Sequence, residues 1–191
     1  LLIMVNGTNA PISIDLSLTT ANPAFTGPAG LASLIHVWSY KSRLYFIQKK
    51  TNIYWYGGVD AVAGALTDVD LKTIFDIPSK LFIGTNWNAN QGQTSEEYCV
   101  FISAKGEVLV YSGDYPAASN WQLIVRTRIA EPLSKKAYTK LGGDVLIYTK
   151  SGVVRLSDAI AGATDPGVLY KTTSNINKIF QRGEYPPEVR A

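Results

Sequence analysis

Apolar residues in this chain come in short runs broken by glycine, asparagine and lysine corners, not in long helical stripes. The stretch CVFISAKGEVLVYSGD, from Cys99 to Asp114, shows the plan. Two apolar runs flank an Ala-Lys-Gly turn, and a Gly-Asp corner closes the second run. This predicts a β-hairpin, because a tight reversal needs a residue at positive φ and glycine or asparagine adopts it most readily. VLIYTKSGVVRLSDA, from Val145 to Ala159, repeats the plan with a Lys-Ser-Gly turn. RLYFIQKKTNIYWYGG, from Arg43 to Gly58, repeats it with Asn52 near the turn, and LLIMVNGTNAPISID, from Leu1 to Asp15, repeats it with Asn6-Gly7. The turn positions Gly7, Asn52, Gly106 and Gly152 stand 45, 54 and 46 residues apart. The longest interval holds GTNWNANQGQTSEE, Gly84 to Glu97, which reads as an inserted polar loop.

Further strands are predicted beside these hairpins. Ser33–Tyr40 and Lys80–Trp87 precede the second and third hairpins, and Lys135–Gly142 precedes the fourth. Asn120–Ala130 follows the third and Gly167–Ser174 the fourth. In Asn120–Ala130, Trp121, Leu123, Val125 and Thr127 alternate with Arg126 and Arg128, which puts the two sets on opposite faces. Self-similarity at roughly 40–50 residues with short strands in each unit is the pattern of a β-propeller blade. The predicted class is therefore all-β and β-propeller-like, with about four repeated hairpin units of 45–54 residues. Helical signal is confined to Leu66–Ile77, where one or two turns compete with a strand. Residues 1–177 form the predicted propeller-like domain, and residues 178–191, with adjacent prolines, an extended linker or arm. The chain opens on Leu1 inside an apolar run, which predicts that it is a piece of a longer propeller protein.

Composition supports a packed core. Hydrophobic residues make up 46% and charged residues 17%, too apolar for a disordered chain. No apolar run reaches the ~18–20 residues of a membrane-spanning helix. LLIMV is too short for a signal-peptide core and lacks a basic leader. The net charge of +3 does not by itself demand a nucleic-acid partner. Between Arg126 and Arg155, seven basic residues face only Glu131 and Asp144, a local net of +5. A solvated face explains most of this. Lys135, Lys136 and Lys140 are the candidates for a surface that faces phosphate. The single cysteine, Cys99, has no partner for an internal disulfide and sits in an apolar strand run, where it acts as a small hydrophobe.

Little in the chain points to catalysis. His36 is the only histidine and lies in an alternating strand, where a structural role is the ordinary one. One histidine and one cysteine do not make a zinc site of the usual kind. No phosphate-binding loop, dinucleotide fingerprint or nucleophile elbow is present. Asp68 and Asp70 lack the further oxygen ligands of a calcium loop. Glu96 and Glu97 are adjacent and would point to opposite faces of a strand. No catalytic, cofactor-binding or metal-binding residue is assigned, and no enzyme activity is expected. Trp87 in the polar stretch and Tyr115 after the Gly-Asp corner are candidate partner contacts, since exposed aromatics stack on sugars or anchor interfaces. Either ring could instead cap the end of a neighbouring unit. Asn6-Gly7-Thr8 fits the glycosylation pattern but occupies a predicted tight turn.

VNGTNAP, RLYFIQKKTNIYWY, VAGALTDVDL, EEYCVFISAKGEVLVYSGDYPAASNWQL and LGGDVLIYTKSGVVRLSDAI occur in this order. Together they resemble the β-propeller virion proteins of tailed bacteriophages, specifically the tail nozzle (tail tubular protein B-like) group of short-tailed phages. GEVLVYSGDYPAASNW and GGDVLIYTKSGVVRLS carry most of the likeness, which covers most of residues 1–180. The resemblance implies a structural, non-enzymatic component of the virion, assembled in the host bacterial cytoplasm. It implies a homo-oligomeric ring, usually a hexamer, attached below the portal and adaptor, with DNA passing through its lumen during genome ejection. It carries over no catalytic residues. Nozzle proteins are much longer than 191 residues, so this chain would be the propeller-like part. On that view Gly84–Glu97 and the proline-containing tail are the expected ring contacts. Two alternatives stand beside it: a carbohydrate-binding, receptor-recognising propeller using Trp87 and Tyr115, and, with less support, a propeller glycoside hydrolase.

Overall fold

The computed structural model describes residues 1–28, 30–91 and 94–162. The strand expected at Gly167–Ser174, the arm at 178–191 and the rest of the domain beyond residue 162 lie outside the described residues. The described chain is all-β, built of several antiparallel sheets. The first sheet is β1 (Leu2–Met4), β2 (Ile12–Ile14) and β3 (Thr20–Ala21) in that order. β4 (Phe25–Thr26) leaves it, followed by a 3-10 turn at Leu31–Ser33. The second sheet contains β5 (Leu34–Tyr40), β6 (Arg43–Gln48) and β7 (Ile53–Val59). After β8 (Gly64–Ala65), which pairs in parallel with β4, β9 (Thr67–Asp70) completes that sheet in the order β5-β6-β7-β9. The third sheet is β10 (Leu81–Gln91), β11 (Thr94–Ser103), β12 (Glu107–Ser112) and β13 (Gln122–Arg128). The fourth is β14 (Tyr138–Leu141), β15 (Asp144–Thr149) and β16 (Gly152–Arg155), followed by a short helix α1 (Leu156–Ile160).

The continuous apolar runs have a direct cause: the third sheet is buried on both faces. On one face, the cross-strand pairs Cys99–Tyr111 and Phe101–Leu109 pack on Trp38, Tyr45 and Tyr54 of the second sheet. On the other, Val100–Val110 and Ile102–Val108 pack on Val145, Ile147 and Val154 of the fourth. A strand buried on both sides cannot alternate apolar with polar, so it reads as an unbroken run. The second sheet behaves likewise, because its Leu34 and Phe46 turn the other way and meet Ile3 and Val5 of the first. The sheets thus stack face to face in chain order.

The turn spacing seen in the sequence becomes one rim of this stack. Lys49, in the β6–β7 turn, donates from Nζ to the Gly7 carbonyl at 3.2 Å. Lys105 of the β11–β12 turn and Lys150 of the β15–β16 turn both bind Glu131. Gly106 sits at φ +84°, and a Cβ there would stand 2.2 Å from the Ile129 carbonyl oxygen, so the turn and its neighbour close only around glycine.

Two expectations need correction. The first unit is out of phase with the others. Gly7 lies between the first and second strands of its sheet, whereas Asn52, Gly106 and Gly152 mark the second-to-third turn. It also sits in an open loop, because the Asn6 side-chain oxygen accepts the amides of Thr8 and Asn9, both at 2.8 Å, in place of a tight hairpin. The stretch Gly84–Glu97 is not an inserted loop. It forms the paired arms of β10 and β11, with Asn86 opposite Cys99 and Asn88 opposite Glu97. Backbone pairing needs no apolar side chains, so polar composition there misleads. Within Leu66–Ile77 both expected forms occur: Thr67–Asp70 is strand, and one helical turn follows that buries Leu71 and Phe75.

Candidate functional site

Polar contacts cluster along the seam where β5, β10 and β14 meet. His36 on β5 donates from Nε2 to the Gly84 carbonyl on β10 at 2.6 Å. A carbonyl only accepts, so Nε2 carries the proton. The Tyr138 hydroxyl on β14 lies 3.4 Å from the same nitrogen, and its ring meets the imidazole edge-on with centroids 5.9 Å apart. One imidazole therefore touches three successive sheets. Burial holds it below its ordinary pKa of 6.5. The Gly84 bond pulls the other way, and the nearby charges of Lys135 and Lys136 add to the lowering.

Beside it, Lys140 binds the Asn86 side-chain oxygen, and the Asn86 amide donates to Glu97. Glu97 also accepts the Lys41 amide at 3.4 Å from the β5–β6 turn. Partial desolvation lowers the Lys140 ammonium below the usual lysine value, while Glu97 opposes the shift. The strand parity explains its direction. Lys140 pairs with Val145, an inward residue, so its side chain reaches toward the third sheet.

The residues singled out in the sequence fall into different environments. Lys135 is half-buried and Lys136 exposed, both near His36, whereas Lys140 is tied into the seam. Trp87 is 8% exposed and stacks with Tyr98, centroids 5.4 Å apart, against the core between the third and fourth sheets. Tyr115 is half-buried under the Arg43 guanidinium, 4.2 Å from its centroid, and packs on Tyr56. Both rings are occupied by internal contacts. Burial pushes the Cys99 thiol well above 9.0, which removes the thiolate that nucleophilic chemistry needs. Asp68 and Asp70 are exposed, and Asp70 accepts the Lys72 amide at 2.8 Å. Among the described residues no group of three or more His, Cys, Asp or Glu side chains could hold a metal. Nor is any helix there long and apolar enough to cross a membrane.

Sequence reasoning missed Glu107. It is buried, and its carboxylate accepts the amides of Asp76 and Ile77 at 2.9 and 2.8 Å. That bond pair anchors the connection from the second sheet to the third. A lone acid at the start of an apolar strand was the available signal. The chemistry of the seam and of Glu107 is cohesive: both fix one sheet against the next. No protein-family model, curated protein or solved structure matches the chain.

Proposed function

We propose that this chain is a structural, non-enzymatic protein of a tailed-bacteriophage virion, the propeller-like part of a tail nozzle. Copies form a ring, of six in the reading the motif order suggests, below the portal and adaptor. DNA passes through its lumen at ejection. The observation that carries the reading is the stack of four antiparallel sheets, in chain order, whose facing sides are filled with aromatic and branched residues. Such a stack suits a wall that must stay rigid while genome passes it, and reading its sheets as propeller blades belongs to the same proposal. The lysines fit as well. Lys105, Lys140 and Lys150 are engaged within the chain. A conduit wall that engages its cations internally adds little salt-dependent attraction for phosphate.

The carbohydrate-binding alternative needs Trp87 or Tyr115 to offer an open face, and both rings are covered by neighbours. Electron microscopy of the native assembly containing this chain tests the proposal. A symmetric ring around an axial channel, joined to a portal or tail, supports it. A free monomer holding a saccharide or other ligand overturns it.

A further inference from the structure

Asn6-Gly7 is the only Asn-Gly pair in the chain. An asparagine can close on its own backbone, when the nitrogen of the next residue adds to its side-chain carbonyl carbon and forms a succinimide ring. Three features of this loop favour that closure. Asn6 is exposed, so water reaches its side chain. Its Oδ1 accepts the Thr8 and Asn9 amides, both at 2.8 Å. Those bonds draw electron density from Cγ, and both donors already face the oxygen that turns negative when a nucleophile adds, as in an oxyanion hole. The Gly7 N–H makes no hydrogen bond among the described residues, so its proton leaves without breaking one. Glycine also brings no Cβ to obstruct the approach.

We infer that Asn6 is a site of spontaneous deamidation, activated by its own loop, and that the isoaspartyl product unties the first sheet from the second. The Gly7 nitrogen gives its proton to hydroxide and bonds to Asn6 Cγ. The Cγ–Nδ2 bond breaks, and the amino group takes a proton from water and leaves as ammonia. A water molecule then opens the succinimide. Addition at Cγ gives aspartate in the ordinary chain. Addition at the main-chain carbonyl of residue 6 gives isoaspartate, whose backbone runs through Cβ and Cγ and is one carbon longer. The net exchange is water in and ammonia out.

The two products act differently on the fold. Gly7 is buried, with no room for a Cβ beside Ile35 of β5, and its carbonyl accepts Lys49 Nζ of the β6–β7 turn at 3.2 Å. Both contacts tie the first sheet to the second, and both depend on where Gly7 sits. An extra backbone carbon just before Gly7 displaces it. Aspartate leaves Gly7 in place, and its carboxylate accepts the Thr8 and Asn9 amides more strongly than an amide oxygen does. The other asparagines near the start of the chain lack the means to react. Pro23 follows Asn22 and has no N–H to lose, and Ala10 follows Asn9 with a Cβ in the way.

Ageing the whole folded chain at mildly alkaline pH, followed by peptide mapping, tests the chemistry. Asn6 should exchange its amide for an acid while Asn9 and Asn22 stay intact, and the rate should climb with pH. Part of the product should accept a methyl group from an isoaspartyl methyltransferase. The folded chain should react at least as fast as the chain in denaturant, where the Thr8 and Asn9 amides no longer hold Oδ1. A folded chain that reacts many-fold more slowly, or deamidation spread evenly over Asn6, Asn9 and Asn22, overturns the activation. Hydrogen exchange tests the structural consequence. The isoaspartyl fraction, separated by chromatography, is compared with fresh protein and with Asn6→Asp, the aspartyl product made directly. Exchange in β1, β2 and β3 should quicken several-fold in the isoaspartyl fraction and stay unchanged in the third sheet, and Asn6→Asp should match fresh protein. An isoaspartyl fraction as protected as fresh protein, or an Asn6→Asp chain loosened to the same degree, overturns the untying.

Discussion

At Gly84 the third sheet lies directly against the Trp38 ring of the second, and replacing this glycine with alanine should cost about 2 kcal/mol. A Cβ at this position would lie 2.4, 2.5 and 2.8 Å from Cη2, Cζ3 and Cζ2 of Trp38. Ordinary carbon contacts sit at about 3.5–4.0 Å, so the ring or β10 must retreat by about 1 Å. The ring has little room. It is boxed by Tyr45, His36 and Phe101, with centroids at 5.3, 5.6 and 5.8 Å. Overpacking a filled core costs about 1–3 kcal/mol. A retreat of β10 also stretches the bond from His36 to the Gly84 carbonyl, worth about 0.5–1.5 kcal/mol. Against this, alanine narrows the unfolded ensemble and returns about 0.4–1 kcal/mol. Urea unfolding reads the balance as a lower midpoint at unchanged slope. Trp38→Phe removes the three clashing atoms, so in that background the cost of Gly84→Ala should shrink by more than about 0.5 kcal/mol. A Gly84→Ala protein as stable as wild type, or an equal loss in both backgrounds, would refute the close-approach argument.

Other outcomes follow from the buried polar groups. Glu107→Ala should lose about 3 kcal/mol, since two charge-assisted bonds vanish, and Glu107→Gln roughly half of that. Hydrogen exchange at the Asp76 and Ile77 amides should quicken in step, and unchanged exchange would refute the anchor. His36 binds its proton less tightly folded than unfolded, so its contribution to stability is full above pH 6.5 and declines as pH falls below that value. Unfolding midpoints measured across this range should show the decline in wild type and a shallower one in His36→Gln; identical slopes would exclude His36 as the source. Cys99 should resist thiol reagents in the folded protein and react at the rate of unfolding, so prompt stoichiometric labelling would show that the core between the second and third sheets is open.

Much of the fold was legible because burial on two faces leaves its mark on every residue of a strand. CVFI and EVLVY read as the two arms of a hairpin, their unbroken apolar runs reflect burial on both faces, and the spacing of glycine and asparagine marked the turns that later line one rim. The site was far less legible. Trp87 looked like an exposed ring because its neighbours are asparagines, yet strand pairing sets it opposite Tyr98 and turns both inward. Lys140 looked like a free cation until strand parity aimed it at Asn86.

What the sequence by itself determined is local. Hydrophobic runs, turn residues and their spacing specify strands and hairpins, because each depends on neighbours a few positions away. The tertiary structure alone decided which sheet faces which, that Glu107 holds the loop at Asp76 and Ile77, and that His36 touches three sheets at once. Those contacts join residues 30 to 102 positions apart. Their partners are chosen by how whole sheet faces fit in space, and no short window of sequence encodes that fit.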